Sequence, residues 1–311
     1  MTARALAVTL LALALALALA GTAAAGDVER RLTVDGRERS YLLHLPPTSG
    51  SGEPLPLVVV LHGGAGNAWA IRKQTGFCEE ADWRGFAVAY PNGSHSAVAS
   101  VMLLGQAKFL VWNGGSCCGW ATEHAVDDVG FVRALVEDVA RQLPIDRKRV
   151  FAAGISNGGM MSYRLACEAS DVFAAVGVVS GALVSPGCAP RKPVSVIHIH
   201  GTADTYVPLR GGPGRFTPPG YEYPPTASAI AFWRAADGCD SAPSLSSPAA
   251  GVRLTRYQGC RGGAAVDYYE LEGGGHSWPG GDRLSLILPP VSHAIAATPV
   301  LWEFFATHPK P

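Results

Sequence analysis

Ser156 stands in the middle of a Gly-Ile-Ser-Asn-Gly pattern, residues 154–158, where the chain changes from strand-like to helix-like periodicity. The apolar run 150–153 is too short for a helix, whereas residues 160–165 suit one. A serine on so sharp a turn needs small neighbours two positions away on each side, and both of these are glycine. The pattern predicts an exposed nucleophilic hydroxyl, with the backbone N–H of Asn157 beside it at the start of a helix. An ordinary glycine-rich turn is the alternative, so the partners of the serine decide between the two.

A serine nucleophile needs a general base, and the base needs a carboxylate that orients it. In a parallel sheet such groups sit on loops at the carboxyl ends of strands, which excludes most of the nine histidines. His276, in a glycine-rich loop after the last predicted strand, is the expected base, with His293 as the alternative. Asp204 follows a buried strand predicted over 194–199 and is the expected acid. The order Ser156, Asp204, His276 is that of α/β-hydrolases.

Two backbone N–H groups are expected to bind an oxyanion beside the serine. One is that of Asn157. The other should come from the glycine-rich loop after the strand predicted over 57–61, where Gly64 is preferred and Ala65 is next. His62, at the start of this loop, is interpreted as a structural residue.

Two tryptophans lie near the predicted site in sequence. Trp112 belongs to a long irregular segment, 91–119, and Trp278 follows His276 by two residues. Each is a candidate for stacking against substrate, with a place in the core as the equal alternative. A second insertion, 206–225, is rich in Tyr, Pro and Gly and is interpreted as a lid or wall.

The remaining pattern predicts strands alternating with helices, hence a mostly parallel central sheet with helices on both faces. A hairpin is expected over 28–45, and helices over 69–83, 126–143, 227–236 and 294–305. No internal repeat or linker divides the chain. Residues 26–311 are therefore expected to form a single catalytic domain.

The N-terminus combines an arginine, a Leu/Ala run and an Ala-rich end over residues 1–25. These are the three parts of a secretory signal peptide, and a retained membrane anchor is the alternative. We expect a secreted protein, extracellular or periplasmic, without membrane association after cleavage.

Formal net charge is zero and the pI is about 7.1, which excludes an electrostatic case for nucleic-acid binding. No C-x-x-C or H-x-x-x-H spacing supports a zinc site, and no metal or cofactor is predicted. Seven cysteines in an exported chain predict disulfides with at least one thiol left over. Cys239 with Cys260 is the preferred pair, whereas Cys117 and Cys118 either pair with each other or end separate bridges.

Five segments together resemble the secreted polyhydroxybutyrate depolymerase-like esterases, which are related to the feruloyl esterases of carbohydrate esterase family 1. They are residues 112–119, 126–131, 154–161, 198–204 and 273–279, namely WNGGSCCG, VDDVGF, GISNGGMM, HIHGTAD and GGGHSWP.

The resemblance implies the same triad, a catalytic domain without metal, and a small or polymeric ester as substrate. Depolymerases of this kind often carry further substrate-binding domains, and this chain ends soon after its last predicted helix, which favours oligomers over crystalline polymer. A feruloyl or acetyl ester of plant cell-wall polysaccharide is the alternative substrate. A non-catalytic binding protein on the same fold, and a peptidase, are the alternatives of another class. Oligomeric state is left open.

Overall fold

The computed structural model describes residues 26–95, 109–239, 242–284 and 289–311. The predicted signal segment, 1–25, lies outside the described residues, as does much of the irregular segment before Trp112.

The apolar runs predicted as strands lie in one ten-stranded sheet. The strands are β1 Gly26–Val34, β2 Arg37–Leu45, β3 Leu55–Leu61, β4 Ala87–Pro91, β5 Ile145–Ile155, β6 Ala175–Val179, β7 Ser195–Gly201, β8 Ser244–Ser246, β9 Val252–Tyr257 and β10 Val266–Leu271. Four of the interior strands, β3, β4, β6 and β7, have every residue buried, as strands covered on both faces require. Their order across the sheet is β1-β2-β4-β3-β5-β6-β7-β10-β9-β8. The six strands from β4 to β10 in this order are parallel, and the strands at the two edges are antiparallel.

Helices cover both faces of the sheet, as expected. In chain order they are α1 Ala68–Thr75, α2 Phe77–Arg84, α3 Gly119–Glu123, α4 Asp128–Gln142, α5 Asn157–Glu168, α6 Thr226–Ala236 and α7 Ala297–Thr307. The apolar sides of α4, α5 and α6 pack into one core cluster, and those of α1, α2 and α7 pack into a second on the opposite face. Of the helices in the described ranges, none combines the length and the hydropathy needed to cross a membrane.

The single helix predicted over 69–83 is wrong in one respect, because it is two helices. Gly76 adopts φ 65° between α1 and α2, the left-handed conformation that ends a helix and that glycine adopts at low cost. The apolar spacing continued across this break, so periodicity alone concealed it. At the start of α4, Asp127 is the capping residue and accepts the Gly130 N–H at 2.7 Å.

Three disulfides connect the described cysteines. The expected pair Cys239–Cys260 is confirmed, Cys117 and Cys118 bond to each other, and Cys167–Cys188 is a third bridge. The remaining thiol, Cys78, is buried and free. Cys167 precedes β6 along the chain and Cys188 follows it. Their pairing therefore depends on the tertiary path of the chain rather than on a local sequence pattern.

A buried carboxyl group at the end of α6 gives the fold a specific pH dependence. Asp237 is fully buried, accepts the Val194 N–H at 3.1 Å through Oδ1, and has no partner for Oδ2 within the described residues. Burial raises its pKa to about 7. Because the folded-state pKa lies above the unfolded value, the folded protein holds this proton from about pH 4 to 7. Stability is therefore lost as the pH rises through that window.

We expect Asp237→Asn to be more stable than the wild type at pH 8, by an amount on the order of 2–4 kcal/mol, and nearly equal to it at pH 4. Urea denaturation at pH 4, 6 and 8 measures this difference. Asp171→Asn is the opposite control. The ion pair with Arg133 lowers the pKa of Asp171 to about 2, so removing this carboxylate should destabilise the fold at pH 8. A stability difference between Asp237→Asn and the wild type that is the same at all three pH values would contradict the prediction.

Candidate active site

Ser156 occupies the sharp turn between β5 and α5. Its backbone has φ 57° and ψ −123°, a conformation that non-glycine residues rarely adopt, and its side chain is partly exposed. A Cβ atom at Gly158 would collide with the backbone carbonyls of Leu61 and His62, and one at Gly154 would collide with the backbone of Gly158. Both glycines are therefore required for the close approach of β3, β5 and α5, which is the strained turn that the sequence pattern predicts.

The loop after β7 holds Asp204 in a dense set of donors. Oδ1 accepts the backbone N–H groups of Tyr206 and Val207 at 2.8 and 3.0 Å. Oδ2 accepts the Nδ1–H of His276 at 2.8 Å. Asp204 is 5% exposed, and the His276 side chain is 10% exposed. The structure therefore brings together two of the three predicted catalytic residues, which are separated by 72 positions in sequence.

Burial by itself would raise the pKa of the Asp204 carboxyl group. The hydrogen bonds from His200 and His276 outweigh that effect and hold its pKa well below the usual range. Asp204 is thus a carboxylate at neutral pH, and it can stabilise a positive charge on the neighbouring imidazole.

The ring of Tyr206 lies flat against His276, with centroids 4.9 Å apart and planes inclined by 6°. Phe216 forms a T-shaped contact with Tyr206, with ring centroids 5.2 Å apart, and is 75% exposed. Arg215 lies over both rings, at 5.8 and 5.6 Å from their centroids. The composition of residues 206–225 indicated a lid or wall, but it did not indicate the contact between Tyr206 and His276. The position of Tyr206 two residues after the predicted acid was the available signal.

The predicted oxyanion donors lie side by side. A Cβ atom at Gly64 would meet the Cβ of Asn157 at 3.8 Å, and one at the preceding Gly63 would meet the Cβ of Ser156 at 3.5 Å. The alternative donor, Ala65, already donates its N–H to Leu110 O at 2.9 Å. That bond leaves Gly64 as the better candidate of the two. The site of oxyanion binding itself stays a prediction.

The side chain of Asn157 binds the backbone of Trp112 at two points. Its Oδ1 accepts the Trp112 N–H at 2.7 Å, and its Nδ2 donates to Trp112 O at 2.9 Å. The indole N–H of Trp112 donates to His62 O at 2.9 Å. The imidazole of His62 bridges Gly63 O and the Gly93 N–H, and burial lowers its pKa to about 4. These contacts make His62 a structural residue, as interpreted, and they fix the loop that carries Gly64.

Neither predicted stacking tryptophan presents its ring to solvent. Trp112 is fully buried and supports the oxyanion loop, and Trp278 is 1% exposed, packs against Phe77, and donates to Thr298 Oγ1 at 3.0 Å. The prediction of substrate stacking is therefore wrong for both. Trp278 is close to the base in sequence, but its ring packs inward and donates to Thr298 on α7. Composition does not indicate whether a tryptophan at this position faces the substrate or the core.

The alternative base, His293, is exposed and takes no part in the Asp204 contacts. A cleft of about 370 Å³ opens beside His276. It is lined by Ala203, Thr205, Glu272, Gly273, Gly274, Gly275, Pro289, Pro290, Val291 and Ser292.

The structure also places three possible metal ligands together at the outer end of the sheet. One donor atom each from Asp27, His44 and Cys78 lies within 4.8 Å of the others. The two nitrogens of His44 are already bonded to Asp27 and Asp82 at 2.8 and 3.0 Å, and Arg72 pairs with Asp27 at 2.6 Å. These hydrogen bonds and ion pairs account for the positions of the side chains.

A mostly parallel sheet, a serine on a strained strand-to-helix turn and an Asp–His pair on later strand-end loops are typical of the α/β-hydrolase class. The Esterase PHB depolymerase family model matches residues 39–205. The chain therefore belongs to the Esterase PHB depolymerase family.

Similar proteins agree with this class. The chain is 36% identical to a protein named putative esterase NocK from Nocardia uniformis subsp. tsuyamanensis over 281 residues, 83% of this chain and 76% of that protein. It is 28% identical to feruloyl esterase B from Piromyces equi over 77% of this chain and 42% of that protein, so it spans less than half of the latter. The structure of acetyl xylan esterase from Aspergillus awamori superposes with a TM-score of 0.63 at 16% identity, covering 90% of this chain and 99% of that one. At that identity the likeness shows the fold.

Proposed function

We propose that this protein is an exported serine carboxylesterase whose triad is Ser156, His276 and Asp204. The observation that carries the proposal is the 2.8 Å hydrogen bond between His276 and Asp204, on two loops that follow neighbouring parallel strands. Ser156 lies at the end of β5 in the same sheet, on a turn whose strained backbone is typical of functional sites.

Hydrolysis would proceed through an acyl-enzyme. The Oγ of Ser156 attacks the ester carbonyl carbon while His276 Nε2 takes its proton, and Asp204 stabilises the resulting imidazolium. The backbone N–H groups of Gly64 and Asn157 bind the oxyanion. The imidazolium then protonates the leaving alcohol, and water repeats the sequence at the acyl-serine carbonyl to release the acid.

The substrates are hydroxyalkanoate oligomers, such as those of polyhydroxybutyrate, and short-chain esters. Membership of the family supports this choice. A feruloyl or acetyl ester on cell-wall polysaccharide is the second candidate, and the exposed ring of Phe216 beside Tyr206 favours its aryl form, because a flat acyl group could stack there.

Export is supported by the three disulfides, which form and persist in oxidising compartments, together with the signal-like composition of residues 1–25. We place the mature protein outside the cytoplasm as one catalytic domain.

A fluorophosphonate probe tests the site. The purified protein should gain one adduct, and peptide mass mapping should place it on Ser156. A folded protein that does not react would favour the non-catalytic binding protein. Hydrolysis by the wild type would then be compared on p-nitrophenyl acetate and butyrate, 3-hydroxybutyrate oligomers, amorphous polyhydroxybutyrate and methyl ferulate. We expect a preference for the oligomers. A preference for methyl ferulate would select the second candidate function.

Phe216→Ala is expected to raise KM about 3- to 10-fold for whichever substrate binds the aromatic pair, since stacking of one ring is worth roughly 0.5–1.5 kcal/mol. The KM for p-nitrophenyl acetate, which has a minimal acyl group, should change little. Steady-state kinetics on both substrates measure the contrast, and Trp83→Ala, which removes an aromatic ring 71% exposed on α2, is the matched control. Equal KM changes in the two variants would refute a binding role for this ring.

A further inference from the structure

A continuous chain of hydrogen bonds runs through the core from α5 to the loop that holds the acid. The Tyr163 hydroxyl lies 2.7 Å from His198 Nδ1, and His198 Nε2 lies 2.9 Å from His200 Nδ1. His200 Nε2 lies 2.8 Å from Val207 O and 3.4 Å from Asp204 Oδ2. The tyrosine and both histidines are at most 1% exposed.

The chemistry of the last acceptor fixes every proton in this chain. A carbonyl oxygen only accepts, so His200 carries its proton on Nε2 and donates to Val207 O. In the neutral ring His200 Nδ1 is then an acceptor. Thr226 Oγ1 lies 3.3 Å from it and His198 Nε2 lies closer, at 2.9 Å, so His198 donates from its own Nε2. His198 Nδ1 in turn accepts the hydroxyl proton of Tyr163. All donors therefore point from α5 toward the acid loop, and a further proton on His200 Nδ1 would face the N–H of His198.

We propose that His198 and His200 are positioning residues for Asp204, anchored on Tyr163. The proposal rests on the proposed function, because it gives these buried histidines the task of holding the triad acid. His200 fixes the carbonyl of Val207, whose own N–H, with that of Tyr206, binds Asp204 Oδ1. His200 also presents its Nε2–H edge to Oδ2, so one imidazole acts on both carboxylate oxygens.

This chain of hydrogen bonds also connects two parts of the proposed triad that lie far apart in sequence. Tyr163 lies on α5, whose first turn follows Ser156, whereas Asp204 lies beyond β7. Burial keeps the pKa of His198 well below its ordinary value, so this ring keeps the neutral form that the chain of donors requires. A buried polar chain costs desolvation unless every member is paired, and here each histidine nitrogen has a partner.

His200→Met and His200→Gln form a matched pair that tests this role. A glutamine amide nitrogen can occupy nearly the place of Nε2 and keep a donor to Val207 O, whereas methionine fills similar space with no donor. We expect His200→Met to lower kcat on p-nitrophenyl butyrate about 10- to 100-fold with KM within about 2-fold, because it removes both the donor to Val207 O and the 3.4 Å contact with the Asp204 carboxylate. The acidic limb of its kcat–pH profile should move to lower pH, since a displaced Asp204 stabilises the imidazolium of His276 less. His200→Gln should recover most of kcat.

An unchanged kcat in His200→Met would overturn the proposal. So would an equal loss of kcat in His200→Met and His200→Gln, if the pH profile of His200→Met stayed where the wild-type profile lies. Wild-type protein that neither turns over substrate nor reacts with a fluorophosphonate would instead overturn the proposed function, which separates the two failures. Nitrogen NMR of the wild type tests the chain of hydrogen bonds without an activity measurement. If His200→Met does not fold, Tyr163→Phe is measured in the same way. Both histidines should carry their proton on Nε2 at pH 7, and a proton on Nδ1 of either ring would exclude the chain of donors described above.

Discussion

Ser156→Ala should lose about 10⁵- to 10⁶-fold in kcat on p-nitrophenyl butyrate and lose reaction with a fluorophosphonate altogether. The substitution removes the only atom that would form the acyl-enzyme bond, and the remaining groups cannot recruit water with comparable efficiency. An alanine Cβ fits where the serine Cβ already fits, so the strained turn between β5 and α5 should survive. The melting temperature should therefore change by no more than about 2 °C.

The measurement is single-turnover and steady-state hydrolysis beside thermal denaturation. Ser228→Ala is the matched control, because it removes the hydroxyl of an exposed serine on α6 that donates to Pro225 O at 2.6 Å. It should retain wild-type kcat. Turnover by Ser156→Ala within about 10-fold of the wild type would show that another residue is the nucleophile.

Asp204→Asn should lower kcat about 10³- to 10⁴-fold with little change in KM. An asparagine at this position is neutral, so it cannot stabilise the imidazolium that forms when His276 takes the serine proton. Its amide N–H can also donate to His276 Nδ1, which would leave the proton on Nε2, the nitrogen that has to accept one. The backbone N–H groups of Tyr206 and Val207 would still hold the side-chain oxygen, so the fold should persist.

Asp237→Asn separates this effect from the general loss of a buried carboxylate. Asp237 is also buried and also accepts a backbone N–H, yet its partner is Val194 rather than a histidine. Its amide variant should keep wild-type kcat while gaining stability at pH 8. If Asp204→Asn lost less than about 10-fold, Asp204 would not be the acid that supports the base.

Local sequence determined the parts of the site that depend on neighbouring residues. The glycines at both ends of the 154–158 pattern are required by backbone approach within a few residues, and the structure shows that approach at Gly158. Buried parallel strands such as β3 and β7 were predictable because short, mostly apolar runs bounded by glycine and proline are typical of covered strands. Their ends then indicated which loops carry Asp204 and His276.

Side-chain direction and long-range pairing were not predictable. The composition around Trp112 and Trp278 allowed stacking against substrate or burial, and only the packing of the loop against Asn157 and of Trp278 against Phe77 decided for burial. Tyr206 faces His276 because the insertion folds back over the strand ends, which no periodicity encodes.

The same distinction explains the histidines of β7 and the choice of oxyanion donor. Sequence placed His198 and His200 inside a strand and so excluded them as the base, but their joint contact with Tyr163 and the acid loop needs the helix α5 to lie against that strand. Gly64 was preferred to Ala65 as the second donor, and the bond from the Ala65 N–H to Leu110 O, which only the tertiary structure shows, supports that preference. The sequence by itself determined the strands, the nucleophile turn and the order of the candidate triad, because each follows from local backbone and burial requirements. Only the tertiary structure decided which side chains meet, because those contacts join residues tens of positions apart.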